Sequence, residues 1–73
     1  MKPKQSSPRE VEAVVLSIGF AFVREGKGAH RVYAHPDGRM TSISFHPGDV
    51  PTGTLRKIIS QIGLTVEAFN EMV

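Results

Sequence analysis

The sequence predicts a small α+β domain in which two helices cover one face of a three-stranded antiparallel sheet. Two segments carry apolar residues at the i, i+3, i+4, i+7 spacing that gives a helix one apolar side. Between them lie three short segments in which apolar and polar residues alternate, a pattern typical of strands. Since each helix has one apolar stripe to bury, we expect the order α-β-β-β-α, followed by a short extra helix.

The first helix is predicted to begin after Ser7. Ser7 is a suitable N-cap, Pro8 suits the first helical position, and Glu10 stands where a capping-box carboxylate belongs. Gly19 is a suitable stop. The apolar stripe consists of Val11, Val14, Val15 and Ile18.

The chain then changes to a period of two, beginning with Phe20 and Phe22. The predicted parts are a turn at 25–28, a second strand at 30–35, a hairpin turn at 36–38, a third strand at 39–45 and a proline-rich loop at 46–51. In the second helix, Thr52 is the expected cap and Gly63 the expected stop, and Thr65 is expected to cap the short last helix. We expect one core formed by Val15, Ile18, Phe22, Val32, Ile43, Phe45, Leu55, Ile58, Ile59 and Ile62.

The hairpin predicts where the histidines point. A four-residue turn over 36–39 sets His35 opposite Met40, and the remaining pairs are Val32 with Ile43, Ala34 with Thr41 and His30 with Phe45. This register collects the apolar side chains on the core face and leaves Arg31, Tyr33, His35, Ser42 and Ser44 on the other face. A register shifted by one residue sets Val32 against Ser42 and mixes the two faces, so we prefer the first.

The three histidines do not predict a metal site. His30 and His35 are an odd number of residues apart, so they point to opposite faces of one strand. His46 is expected beside Ala29, off the face of His30, and no carboxylate stands at ligand spacing from any histidine. Zinc needs three or four converging ligands. On spacing alone, His30 is either a partly buried histidine at the rim of the core face or a general acid–base group.

Composition narrows the class of protein. A chain of 73 residues buries only about 60% of its surface, so we expect binding on the surface rather than in an enclosed pocket. The absence of cysteine suits a reducing compartment, and neither a membrane span nor a secretory signal is apparent, so we expect a cytoplasmic protein. Residues 1–6 are predicted to be a flexible tail, and residues 7–73 a single domain. Residues 24–57 hold six of the nine basic side chains and only three acidic ones, which favours a polyanionic ligand for this part.

Several motifs in order resemble the HicA family of bacterial toxins. The motifs are "GKGAH" (26–30), "HPDGR" (35–39), "GTLRKI" (53–58) and "QIGL" (61–64), and the resemblance covers about residues 8–69. It implies a double-stranded-RNA-binding-domain-like fold, cleavage of messenger RNA, and inhibition by a HicB-like antitoxin that covers the active-site histidine. That histidine corresponds to His30. Ala29 departs from the family, which more often has serine there, so this position offers no hydroxyl.

The resemblance gives the basic residues expected roles in a ribonuclease that needs no cofactor or metal. Lys27 and Arg31 are expected to bind phosphate, with Arg39 and Lys57 as outer contacts. The alternative for each is an ordinary solvated side chain, and for Arg39 and Lys57 the two interpretations stand side by side. Gly28 and His46 are secondary candidates, and His35 is expected to brace the hairpin turn. The expected partners are messenger RNA and an acidic antitoxin that contacts His30, Lys27 and Arg31, with no membrane and no DNA contact. The alternatives are a non-catalytic RNA-binding module of the same fold and a pure protein-interaction module.

Overall fold

The computed structural model describes all 73 residues and confirms the predicted order of elements. The elements are α1 (Pro8–Ser17), β1 (Ala21–Glu25), β2 (His30–Ala34), β3 (Met40–Ser44), α2 (Thr52–Gln61) and α3 (Val66–Met72). The strands form one antiparallel sheet in the order β1-β2-β3, so β2 is central. Both long helices pack against β3 and share one core, which gives the expected α+β architecture. None of the three helices has the length and apolar character needed to span a bilayer.

The ends of α1 follow the local sequence signals. The Ser7 hydroxyl accepts a hydrogen bond from the Glu10 N–H (3.2 Å), and the Ser7 N–H donates to the Glu10 carboxylate (2.8 Å). These two bonds form the predicted capping box and satisfy backbone groups that the helix itself leaves unpaired. Gly19 follows the helix with φ +100°, a conformation that residues with a Cβ rarely adopt, so the predicted stop is also confirmed.

The other two helices differ in how they begin. The prediction that Thr52 caps α2 is wrong, because Thr52 is the first helical residue and Pro51 occupies the cap without a side-chain hydrogen bond. The cap of α3 is as predicted, with the Thr65 hydroxyl accepting from the Ala68 N–H at 3.1 Å. The first turn of α2 therefore lacks the side-chain acceptor that stabilises α1 and α3.

The predicted register of the β2–β3 hairpin is wrong by one residue. The observed pairs are His30 with Ser44, Arg31 with Ile43, Val32 with Ser42, Tyr33 with Thr41 and Ala34 with Met40. The reason is a three-residue loop, residues 36–38, closed by hydrogen bonds from the His35 N–H to the Arg39 carbonyl (2.9 Å) and from the Gly38 N–H to the His35 carbonyl (2.9 Å). Gly38 has φ +99°, which such a loop requires at its last residue. Because Ile43 of β3 still points into the core as predicted, the shift of one residue turns the other face of β2 toward the core.

Two residues predicted for the core, Val32 and Phe22, lie outside it, and Tyr33 is among the residues that join it. Tyr33 and Ile43 face the helices and are fully buried, whereas Val32 lies on the opposite face and is only half-buried. Phe22 is also wrong as a core residue, because β1 is an edge strand that neither helix covers and the Phe22 side chain is half exposed. The buried apolar residues are Val11, Val14, Val15, Phe20, Tyr33, Ile43, Val50, Leu55, Ile58, Ile59, Ile62 and Phe69, with Ile18 and Phe45 packed against them.

Residues 1–6 contain no helix or strand and run along the α3 side of the domain. The Lys4 N–H donates to the Asn70 side chain (2.8 Å), and the Asn70 amide donates to the Lys2 carbonyl (3.1 Å). Ser6 is fully buried, and its carbonyl accepts from the Val50 N–H at 2.8 Å. These contacts join the segment that we predicted as a tail to the loop before α2.

Candidate functional site

His30 is the first residue of β2 and lies on the sheet face that the helices leave open. The expectation that it lies on the core face is wrong, because His30 pairs with Ser44, whose neighbour Ile43 is the residue that points into the core. Its backbone is fixed by the preceding turn, since the His30 carbonyl accepts from the Gly26 N–H at 2.8 Å. His30 itself is exposed, so a well-fixed backbone presents an accessible imidazole.

Two open clefts meet at His30. The first, about 280 Å³ and termed the loop cleft, is lined by Pro8, His30, Ser44, His46, Asp49, Val50, Pro51 and Thr54. The second, about 210 Å³ and termed the helix cleft, is lined by His30, Ser42, Ser44, Thr54, Lys57, Ile58 and Gln61. The imidazole of His30 is therefore accessible from both sides, one bordered by the loop after β3 and the other by α2.

Helix α2 contributes a cation to the helix cleft and its N-terminal turn to the loop cleft, which also contains Asp49. Thr54 and Lys57 are one turn apart, so both side chains reach the side of α2 that borders the helix cleft. The helix begins at Thr52 without a side-chain acceptor, and Pro51 and Thr54 both line the loop cleft. Unpaired N–H groups in a first helical turn carry partial positive charge. The site thus combines a lysine ammonium group with the positive end of a helix.

The Ser44 hydroxyl lies between the two clefts without a hydrogen-bond partner. Its Oγ is buried, and no donor or acceptor of the chain reaches it. Buried hydroxyl groups in folded proteins are nearly always paired, because removing them from water without a partner is unfavourable. Ser44 lines both clefts beside His30, so this unpaired hydroxyl lies next to a ligand that enters either one.

His46 shares the loop cleft with His30, in contrast to the predicted placement off its face. The Phe45 N–H donates to the Ala29 carbonyl at 3.0 Å, which continues the ladder one residue beyond β3. Phe45 packs against the core, so Ser44 and His46 on either side of it turn to the open face. No group of three histidine, aspartate or glutamate side chains in the chain lies close enough together to ligate one metal ion.

The turn before His30 carries two further candidates. Lys27 is exposed, and its carbonyl accepts from the His30 N–H at 3.3 Å, but its side chain lines neither cleft. Gly28 has φ +64°, and a Cβ added there would meet no neighbour within 4 Å, so its backbone conformation rather than lack of space favours glycine. Both residues border the site without forming its walls.

Arg31 lies on the opposite face of β2 from His30 and is already paired. Its guanidinium lies 3.4 Å from the Glu12 carboxylate and 3.8 Å from that of Glu25, and it stacks 4.6 Å from the centroid of the Phe45 ring. Two acidic neighbours offset its charge locally. The structure therefore does not bring Arg31 together with His30.

Arg39 belongs to the far end of the hairpin. Its guanidinium donates to the Asp37 carboxylate (2.8 Å) and to the Ile62 carbonyl, and it lies over the Phe20 ring. The Arg39 backbone N–H also donates to the Asp37 carboxylate, and this hydrogen bond lowers the pKa of the Asp37 carboxyl. The Arg39 guanidinium lowers that pKa as well. The expected bracing role of His35 is confirmed, because its Nδ1 accepts from the Asp37 N–H at 3.1 Å. This cluster organises the turn and lies outside both clefts.

The sequence-based interpretation overlooked most of the cleft walls. Ser42, Ser44, Thr54 and Gln61 line the site together with His30, and none of them was a candidate. The two serines were accessible to prediction, since the motif Pro-Asp-Gly favours a three-residue hairpin loop whose register sets Ser44 opposite His30. Thr54 and Gln61 depend on how α2 lies against β3, for which no local signal exists.

The chain matches the model of a known protein family. This model, described as the HicA toxin of bacterial toxin–antitoxin systems, matches residues 8–64. The matched segment contains α1, all three strands and α2, and therefore both clefts. Comparison with curated protein sequences finds no match.

Proposed function

Since the chain belongs to the HicA toxin family, and is thus the toxin of a bacterial toxin–antitoxin system, we propose that it is an endoribonuclease. The proposed substrate is messenger RNA in the bacterial cytoplasm, and the proposed catalytic residue is His30. The observation that carries this proposal is the position of His30, which is exposed where the loop cleft and the helix cleft meet, with Lys57 in the wall of the helix cleft.

The proposed reaction uses the 2′-hydroxyl of the RNA as the nucleophile. The 2′-oxygen loses its proton to a base and attacks the adjacent phosphorus, and the bond from phosphorus to the 5′-oxygen breaks as that oxygen gains a proton. The products are a 2′,3′-cyclic phosphate end and a 5′-hydroxyl end. The reaction needs proton transfer and stabilisation of the negative charge that develops on the phosphate. Both needs are within the chemistry of the residues around His30.

Each neighbour of His30 suits one part of this reaction. The His30 imidazole is the proposed base, because histidine exchanges protons near neutral pH. The unpaired Ser44 hydroxyl is the proposed hydrogen-bond donor to a phosphate oxygen. Lys57 and the open first turn of α2 are the proposed source of positive charge, since helix N-termini favour bound phosphate.

The remaining basic candidates are proposed as contacts farther from the cleavage point. Lys27 and the Gly28 turn border the site and are free to contact the RNA backbone. Arg31 and Arg39 have carboxylate partners within the chain, so we propose that they support the fold more than they bind phosphate. This assignment makes Lys57 the principal phosphate contact instead of Arg31.

We propose that the cognate antitoxin is HicB-like and acidic at its point of contact. A protein that covers the clefts faces His30 and the cations Lys27 and Lys57, and carboxylates complement such a surface. Arg31 is a less complementary contact than predicted from the sequence, because Glu12 and Glu25 already adjoin its guanidinium.

A gel assay with a defined transcript distinguishes an enzyme from a binding module of the same fold. The proposal predicts shortened fragments with cyclic phosphate ends after incubation with the purified wild-type chain. A transcript that is retarded on a native gel but stays intact would identify the alternative, a non-catalytic RNA-binding module. If the transcript is neither retarded nor cut, the remaining alternative is a protein-interaction module.

A further inference from the structure

The loop cleft contains a second imidazole beside His30, and the proposed reaction needs two proton-transfer groups. The attacking 2′-oxygen and the departing 5′-oxygen lie on opposite sides of the phosphorus, so one side chain does not reach both at once. His30 borders both clefts, and the loop cleft adds His46 and Asp49. The helix cleft adds Lys57. Besides His30, these three are the ionisable side chains that line the two clefts, so they are the candidates for the second proton donor.

The chemistry of the three side chains singles out His46. A carboxyl group has ordinarily lost its proton at neutral pH, and a lysine ammonium group holds its proton too firmly to release it readily. Imidazole is the side chain that ordinarily carries a transferable proton between about pH 5 and 8. Asp49 and Lys57 thus suit electrostatic roles, and His46 suits proton donation.

The strand geometry brings His46 within reach of a phosphate held at His30. His30 is directly opposite Ser44, and His46 is two residues farther along the same face. Residues in this diagonal relationship lie about 7–8 Å apart at Cα, a spacing that long and aromatic side chains bridge. Pro47 follows at once and restricts the backbone of His46 to extended conformations. Both histidines consequently border the same cleft.

We propose that His46 is the general acid of the reaction and His30 the general base, an inference that rests on the proposed function. His30 takes the proton of the 2′-hydroxyl while the new bond from the 2′-oxygen to phosphorus forms. As the bond from phosphorus to the 5′-oxygen breaks, protonated His46 gives its proton to that oxygen. The 5′-oxygen therefore departs on the side of the loop cleft.

The test uses His46→Asn and two short RNA substrates. One substrate is ordinary RNA, and the other has sulfur in place of the bridging 5′-oxygen at the cleavage point. A thiolate leaves without a proton, so loss of the general acid affects only the ordinary substrate. His46→Asn is expected to cut ordinary RNA about 10²–10⁴-fold more slowly than wild type. It is expected to cut the sulfur substrate at close to the wild-type rate, whereas His30→Asn stays slow on both.

The pH profile gives a second readout. A base must be unprotonated and an acid protonated, so wild-type activity is expected to rise and then fall as pH increases. His46→Asn is expected to lose the fall at high pH and keep the rise. The only other ionisable side chains of the loop cleft are Asp49 and His30, because Pro8, Ser44, Val50, Pro51 and Thr54 carry no charge.

The outcomes separate this inference from the proposed function. If the wild-type chain cuts no RNA, the proposed function and the inference both fail. If the wild type cuts ordinary RNA and folded His46→Asn and His46→Gln cut it equally fast, only the inference fails. The inference is also overturned if His30→Asn cuts the sulfur substrate at close to the wild-type rate. It is overturned as well if Asp49→Asn loses activity while His46→Asn keeps it.

Discussion

The hydroxyl of Tyr33 donates a hydrogen bond to the carboxylate of Glu12 and so joins the central strand to α1. Tyr33 is fully buried, and the Glu12 carboxylate also receives the Arg31 guanidinium at 3.4 Å. Burial raises the pKa of the Tyr33 hydroxyl well above its usual value, and the neighbouring Glu12 carboxylate raises it further. The folded state therefore favours the protonated form of Tyr33.

This relationship predicts a loss of stability at high pH. Below the usual tyrosine pKa of about 10, Tyr33 is protonated in both the folded and the unfolded chain, so its stabilising contribution is complete. Above that pH, the unfolded chain loses the proton first, and the free energy of unfolding should fall as pH rises. Tyr33 is the only tyrosine, so tyrosinate absorbance in the ultraviolet reports this group alone.

Tyr33→Phe is the matched variant for this prediction. It should cost about 1.5–3 kcal/mol at neutral pH, because a hydrogen bond to a charged group is lost. It should also remove the part of the fall in the free energy of unfolding at high pH that Tyr33 causes in the wild type. Tyrosinate absorbance that appears near pH 10 in the folded wild-type chain would contradict the assignment.

The core predicts a large difference between two leucines of the long helices. Leu55 is 1% exposed and Leu16 is 45% exposed. Leu55→Ala should cost about 2–5 kcal/mol, because it leaves a cavity between α2 and the sheet. Leu16→Ala should stay within about 0.5 kcal/mol of wild type. Urea unfolding followed by circular dichroism measures both changes in the free energy of unfolding. Equal losses in the two variants would mean that the face of α2 assigned to the core is wrong.

Adjacent cations on α2 predict different effects on RNA binding. Lys57 lines the helix cleft, whereas the Arg56 guanidinium donates to the Met1 carbonyl at 3.1 Å and lines neither cleft. Lys57→Ala should weaken binding of a single-stranded RNA and lower the slope of log affinity against log salt by about 0.7. Arg56→Ala is the control and should leave that slope unchanged. An equal change in both variants would indicate attraction to overall charge rather than to the cleft.

The antitoxin is expected to recognise the same cations. Reversing the charge of Lys27 or Lys57 to glutamate should slow association with an acidic antitoxin, and added salt should slow the wild type in the same way. Stopped-flow or surface-binding kinetics measures this rate. A complex in which His30, Lys27 and Lys57 all remain open to solvent would contradict the proposed mode of inhibition.

Local signals in the sequence predicted the elements of the fold well. The capping box of Ser7 and Glu10 and the glycines that follow α1 and α2 are short-range features, and each acts in the structure as its chemistry implies. The apolar stripes of the helices are equally local, because helical geometry alone puts those residues on one side. The order of the elements followed from these features.

The faces of β2 were predicted wrongly, although the Pro-Asp-Gly turn that sets them is itself a local signal. The turn at residues 36–38 is one residue shorter than expected, and this difference alone moved Val32 away from the core and His30 to the open face. Tyr33 was predicted to lie on the open face of the sheet. In the structure its hydroxyl donates a hydrogen bond to Glu12 of α1, so the tyrosine is buried with its polar group paired. The motif around His30 identified the histidine, but the clefts depend on the loop and α2 lying beside β3. Such long-range contacts leave no local pattern.

The proposed activity depends most on His30, and substitution of this residue by alanine separates chemistry from binding. His30 is exposed and contributes nothing to the core, so His30→Ala should fold as the wild type does. His35→Ala is the matched control, because it removes a histidine from the hairpin cluster that lies outside both clefts.

The decisive measurement is the rate at which these purified chains cut one defined transcript in excess chelator, with circular dichroism to confirm folding. His30→Ala should cut about 10²–10⁴-fold more slowly than wild type while still retaining the transcript, and folded His35→Ala should cut at the wild-type rate. Cleavage by folded His30→Ala at the wild-type rate would contradict the catalytic assignment.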